Sequence, residues 1–348
     1  MSTHRRRALP VLILALVAAL LASFAAPANA QSKPVTLRLG YFANVTHGSA
    51  IVGVEKGYFK DALKAGGNKL SVRTFNSGNQ AIQAVLAGAI DATYIGPSPA
   101  ITGWAQSKAI KIISGAASGG ALLVVNKDIA DVDSLKGKRV ATPGLGNTQD
   151  VALRYYLKTQ SIKTDTNGGG QVSIVPQDNA QTLNAFRQGQ IAGAWEPEPW
   201  ASRMVLEGKG KVLLDERKLW PKGKFVTTHL IVTTKFLKDH PDAVKQLLQG
   251  QIKANGYLNS NPEGAKAAID AGITRLTNQG ISKQLLDAVW KNLDFTNDPI
   301  ASSLQPNAEH AQAVGLLDKV DLKGIYDLSI LNSLLKAAKQ PTVSSAGL

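Results

Sequence analysis

The chain has 348 residues, a formal charge of +14 from 39 Lys and Arg against 25 Asp and Glu, and no cysteine. The missing cysteines exclude disulfides, thiolate metal sites, a thiol nucleophile and a lipid anchor on a leader cysteine. The length exceeds what one hydrophobic core usually serves and points to two α/β lobes.

The N-terminus reads as an export leader. "MSTHRRR" is basic, "ALPVLILALVAALLASFAA" is apolar, and "ANA" at 28–30 supplies small residues for cleavage after Ala30. The apolar run is short for a membrane span and carries Pro10 near its start. The leader contains Arg5, Arg6 and Arg7 and no acidic residue, so the mature chain keeps +11. Its basic residues are spread as "KGKR", "KGKGK" and "PKGK", which favours anions at long range. No aromatic–basic ladder accompanies them, so nucleic acid is not an expected partner.

After the leader, one unit recurs: strand, polar turn, helix. "VTLRLGYF" (35–42), "KLSVRTF" (69–75), "DATYIG" (91–96) and "KIISGAASGG" (111–120) read as strands. Ile82, Val85, Leu86 and Ala89 form one helical face between the second and third. A fresh series follows at 120–128, 135–144, 171–176, 192–197 and 210–216. "AIQAVLAGAIDATYIGPSP" and "TLNAFRQGQIAGAWEPEP" have the same construction, so the two lobes look alike. Strands alternating with helices predict a mainly parallel sheet in an α/β fold. Beyond "FVTTHLIVTTKFL" (225–237) the pattern predicts helices that return to cover the first lobe.

In open α/β sheets, ligands bind beyond the carboxyl ends of strands. Five polar turns are predicted there: 44–49, 76–80, 96–99, 144–150 and 195–199. The turn "PGLGNTQD" (143–150) lacks the Lys of a phosphate loop and the third Gly of a dinucleotide fingerprint. It fits a smaller anion held by backbone N–H groups and hydroxyls at a helix start. Each candidate also has a plainer role. Ser77, Asn79, Ser98, Asn147 or Thr148 can simply cap a helix. His47 reads as a hydrogen-bonding or surface residue, and His229 as a core or hinge histidine. Trp195 fits a pocket-facing ring, with core packing as the alternative, and Trp200 reads as packing. Glu196 fits a ligand amine, a hydroxyl or an Arg such as Arg203. Asp150 either complements its helix dipole or points inward, in which case the ligand carries a donor or positive group. No "GxSxG" or "HExxH" occurs and the His residues do not cluster, so no catalytic set, metal site or cofactor is expected.

Four segments, "LRLGYFANVTHGSAIVGVEKGYF", "SGNQAIQAVLAGAIDATYIGPSPAI", "LKGKRVATPGLGNTQDVALRYYL" and "GAWEPEPWASR", carry a family resemblance. The chain resembles, over nearly its whole mature length, the nitrate/sulfonate/taurine-type periplasmic substrate-binding proteins of ABC importers. That resemblance implies a type II periplasmic-binding fold that closes over its ligand. Lobe one would span 31–118 plus 229–345, and lobe two 119–228. Asn44, Thr46, His47, Ser77, Gly78, Ser98, Asn147, Thr148, Trp195 and Glu196 would line the cleft. The implied partners are a small anion, an organosulfonate before nitrate, taurine or a thiamine-pyrimidine or aromatic compound, and an inner-membrane ABC permease. The implied protein is a periplasmic, unlipidated monomer. An enzyme resembling pyrimidine-precursor synthases is the alternative. It is disfavoured because those enzymes are intracellular and rely on a Cys-rich motif.

Overall fold

The computed structural model describes residues 34–348. The leader and its cleavage site lie outside the described residues. No helix among those described is long and apolar enough to cross a membrane.

Two sheets organise the chain. The first is assembled from β1 (Thr36–Tyr41), β2 (Lys69–Thr74), β3 (Ala92–Ile95), β4 (Ile110–Gly119), β10 (Val226–Thr233) and β11 (Leu293–Phe295). Their spatial order is β11-β4-β10-β3-β1-β2. The second holds β5 (Ala121–Val125), β6 (Arg139–Thr142), β7 (Ser173–Pro176), β8 (Gly193–Pro197) and β9 (Lys211–Asp215), in the order β7-β6-β8-β5-β9.

Both sheets are mixed, which corrects the expectation of mainly parallel pairing. β1 lies parallel to β2 and β3, and β6 to β7 and β8, each joined by a helical crossover. β10 runs antiparallel to β3 and β4, and β5 antiparallel to β8 and β9. The cause lies in the connections. A parallel pair needs a long crossover, usually a helix. β4 instead passes straight into β5 through Gly119 and Gly120, whose φ values of +73° and +72° suit glycine. β10 then returns from the second sheet to the first.

The helices cover the sheet faces. α1 (Gly48–Glu55) and α2 (Tyr58–Ala65) follow β1, α3 (Gly78–Leu86) follows β2, and α4 (Pro97–Ser107) follows β3. In the second half, α5 (Thr148–Thr159), α6 (Asn179–Arg187) and α7 (Trp200–Leu206) follow β6, β7 and β8. The tail contributes α8 (Thr234–Asp239), α9 (Pro241–Ser260), α10 (Pro262–Thr277), α11 (Lys283–Val289), α12 (Leu304–Ala313) and α13 (Ser329–Ala337). It is not purely helical: β11 pairs antiparallel with Ala117–Gly119 of β4.

Alternation along the strands decides what is buried. Leu37, Leu39 and Tyr41 of β1 enter the core of the first sheet. The second sheet is buried on both faces. Leu123, Val125 and Trp195 join one cluster, while Leu122, Val124 and Ala194 join the other.

Candidate functional site

A cavity of about 40 Å³ lies where the carboxyl ends of the strands from the two sheets face each other. From the first sheet, the turn after β1 brings Phe42, Asn44, Thr46 and His47. The start of α3 brings Ser77 and Gly78, and the start of α4 brings Gly96 and Pro99. From the second sheet come Asn147, Thr148 and Gln149 at the start of α5, Asn179 at the start of α6, and Pro197 at the end of β8. Thr227 and Thr228 of β10 close it. Asn76 and Pro143 complete the lining, which contains no Asp, Glu, Lys or Arg.

The site is therefore made of helix starts and neutral polar groups. Four helices begin at it, and each presents N–H groups and the positive end of its dipole. Side-chain donors face the same space. Thr148 Oγ1 is buried without a hydrogen-bond partner. Asn147 donates Nδ2 to the Pro143 carbonyl at 3.3 Å, while its Oδ1 has none. Ser77 also caps α3, its hydroxyl accepting from Gln80 N at 3.4 Å. His47 stacks on Phe42 with ring centroids 4.2 Å apart. Its Nδ1 accepts from Phe42 N at 3.3 Å, which leaves Nε2–H as the donor of the neutral ring. Burial holds its pKa down to about 3.

The 143–150 turn is held from behind. Asp150 accepts from Thr142 Oγ1 at 2.8 Å, from Gly146 N at 2.9 Å and from Arg154 Nε at 2.9 Å. Its carboxylate is fully buried and faces its own turn and Arg154. Asp150 thus shapes the loop, and its charge is balanced one helical turn along.

The two sides touch around the cavity. Asn44 Oδ1 accepts from Trp200 Nε1 at 2.9 Å, Thr46 N reaches the Glu198 carbonyl at 3.4 Å, and Asn79 Nδ2 reaches the Leu145 carbonyl at 2.8 Å. A Cβ placed on Gly96 would stand 2.4 Å from Thr148 Oγ1, so the glycine permits this approach.

Seven of the ten candidate residues meet here: Asn44, Thr46, His47, Ser77, Gly78, Asn147 and Thr148. Ser98 lies just behind the lining; it is buried, and its hydroxyl has no partner. Trp195 departs from the pocket-facing expectation. It is fully buried in the second sheet's core and donates Nε1 to Glu216 Oε2 at 2.8 Å. Strand alternation puts Glu196 on the opposite face, toward α6. With the Asn179 amide oriented to satisfy both ends, Asn179 donates to Glu196 Oε2 at 3.1 Å and accepts from Trp200 Nε1 at 3.2 Å. Glu196 therefore sits one residue behind the cavity wall. Burial pushes its pKa well above the usual range, a hydrogen bond from Thr182 opposing it. His229 is a core residue of β10, its Nε2 3.2 Å from the Pro299 carbonyl.

Sequence reading passed over Asn179, Gln149 and the Thr227–Thr228 pair. Asn179 had a usable signal: "QVSIVP" ends in the polar "QDN" before a helix, a sixth turn of the same kind. The threonine pair had a weaker one, two polar residues in an otherwise apolar strand. Among the described residues, no group of His, Asp and Glu is arranged to hold a metal ion.

Comparison with known proteins places this architecture. The chain is 26% identical to the putative aliphatic sulfonates-binding protein of Bacillus subtilis over 298 residues, covering 82% of this chain and 84% of that one. It is 30% identical to the taurine-binding periplasmic protein of Escherichia coli over 203 residues, covering 58% and 61%. The alkanesulfonate-binding protein SsuA of Xanthomonas axonopodis pv. citri, solved bound to MOPS, superposes with a TM-score of 0.69 at 18% identity, over 83% of this chain and 96% of that one. That likeness establishes the periplasmic-binding-protein fold. A family model matches residues 30–273, and the chain belongs to the NMT1-like family.

Proposed function

We propose that this protein is an extracytoplasmic solute-binding protein that captures a small organosulfonate-type anion and delivers it to an ABC permease. The observation that carries the reading is the cavity itself: helix starts and the unpartnered Thr148 hydroxyl face a space with no ionised side chain in its wall. Such a site suits an anion whose charge persists at every physiological pH and which accepts several hydrogen bonds at once. The named activities of the sulfonate- and taurine-binding relatives support it. The leader supports export to the periplasm, with cleavage after Ala30 and no lipid. Binding without catalysis, by a monomer, completes the reading. Capture would proceed by closure of lobe one (31–118 plus 229–345) on lobe two (119–228).

The cavity is small, about 40 Å³. This favours a short ligand such as methanesulfonate or taurine. Taurine has one specific observation behind it. Glu196 is buried behind Asn179 with one oxygen unpartnered, and an ammonium group reaching it would stabilise the ionised form.

Calorimetric titration of the ligand-stripped mature protein tests the reading. The panel is taurine, methanesulfonate, longer alkanesulfonates, benzenesulfonate, sulfate, nitrate and hydroxymethylpyrimidine. The expected result is micromolar or tighter binding of a short sulfonate, with sulfate and nitrate silent. Thr148→Val removes one donor and should weaken that binding by roughly 5- to 150-fold, the cost of leaving a charged acceptor short of one partner. Undiminished binding by that variant, or binding of nitrate or the pyrimidine alone, would overturn the sulfonate assignment.

A further inference from the structure

A second cavity, of about 250 Å³, lies away from the cleft, between α5, the turn Glu216–Leu219 and α12. Its walls are aromatic. Tyr155 and Tyr156 come from α5, Trp220 from the end of the turn, and His310 from α12. His310 stacks on Tyr155 at 3.6 Å and tilts against Trp220 at 5.5 Å. At the floor lies Glu216, 1% exposed. Its two oxygens accept from Trp195 Nε1 at 2.8 Å and Trp220 Nε1 at 3.3 Å.

Both of those donors are neutral. Among the described residues no lysine or arginine pairs with Glu216, and the adjacent Arg217 is committed to Asp215 at 2.5 Å. The titratable groups that share the cavity with it are Tyr155 and Tyr156 on α5 and His310 on α12, and, beyond the effect of burial, the nearby Asp215 carboxylate pushes its pKa up further. Burial lowers the His310 pKa, so that ring supplies no positive charge near neutral pH. A buried carboxylate without a counter-charge gains strongly from a cation placed beside it, and aromatic faces attract cations once water is excluded. The apolar volume suits a compact hydrocarbon body. We propose that this cavity is a second small-molecule site, binding an organic ammonium ion whose charge sits between the Glu216 carboxylate and the aromatic walls. The site is separate from the anion cleft, although α5 runs from one to the other.

Burial raises the Glu216 pKa to about 7. The cation takes the ionised form, whose fraction climbs from about 0.1 near pH 6 to about 0.9 near pH 8. Calorimetry on the mature protein with benzyltrimethylammonium, and with benzyl alcohol as the uncharged counterpart, tests the site. The expected result is saturable 1:1 binding of the cation, about tenfold tighter near pH 8 than near pH 6, with benzyl alcohol at least about tenfold weaker. Glu216→Gln should weaken binding and flatten its pH dependence. Ala152→Trp, which fills the cavity from α5 without altering the carboxyl, should abolish binding, and circular dichroism checks that each variant folds. Glu196→Gln, at the anion cleft, should retain the cation. Equal binding of benzyl alcohol, survival of binding in Ala152→Trp, its loss in Glu196→Gln, or no saturation below about 50 mM would each overturn the proposal.

Discussion

Asp150 takes three hydrogen bonds with one carboxylate, and each belongs to a different level of the structure. Thr142 ties it to the end of β6, Gly146 to the turn, and Arg154 to the next turn of α5. Removing a single partner of a fully buried ion pair leaves an uncompensated charge, which costs far more than the pair itself contributes. Arg154→Met should therefore lower the unfolding free energy by about 3–5 kcal/mol, read as a shift in the urea midpoint. The same variant should weaken anion binding, because Gly146 to Thr148 lose the group that frames them. Trp195 teaches a related lesson in parity. Trp195 and Glu196 are neighbours in sequence, but on a strand they point to opposite faces. Only one of the two could approach α6 and the cavity, and the larger apolar one went to the core.

Helix starts line the cleft, and the close approach of α4 to α5 depends on glycine. Gly96 has φ −71° and ψ 161°, a conformation any residue adopts, so its role here is spatial. Gly96→Ala should leave thermal stability within about 0.5 kcal/mol but obstruct the approach of Thr148. The expected outcome is at least about tenfold weaker ligand binding by calorimetry, with scattering showing less compaction on adding ligand. Much of this element scale was legible in the chain. β1 to β9 fall within a few residues of the runs read as strands, because short apolar runs bounded by polar turns mark strands even where both faces are buried. Pairing direction was not legible, since it depends on how strands are connected across the molecule. β11 was missed for a related reason. Its three residues, "LDF", are too few to show a period, and their partner lies far away in sequence. The turns were recognisable by composition, so seven of ten candidate residues meet at one cavity. Ser98 and Glu196 ended just behind it because small shifts of register decide which neighbour reaches the wall.

At the scale of the whole molecule, five buried titratable groups give stability two opposing pH limbs. His47 and His229 have pKa values lowered by burial to about 3 and about 4. Below about pH 6.5 the unfolded chain binds protons at these rings that the folded chain refuses, so stability falls as the solution becomes more acidic. Glu196, Glu198 and Glu216 are shifted the other way, chiefly by burial, Glu216 to about 7. Above about pH 4.5 the folded chain keeps protons that the unfolded chain releases, so stability falls as pH rises through each folded pKa. The two limbs overlap between about pH 4.5 and pH 6.5, and maximal melting temperature is expected in that interval. A scan of melting temperature against pH should show it. A maximum above about pH 8 would contradict these assignments.

The cleft wall has a further consequence for the setting in which such a protein works. A receptor that grips its ligand through lysine or arginine loses affinity as dissolved ions accumulate, because each contact is screened. Here the wall contains no such side chain, and the fixed charge of helix starts lies within the cleft. The dissociation rate of the bound anion should hardly respond to ionic strength, while the spread of positive charge over the exterior makes the encounter rate respond strongly. Ion concentrations outside a cell rise and fall with the surroundings. This division of labour lets capture slow in brine without letting the captured molecule go.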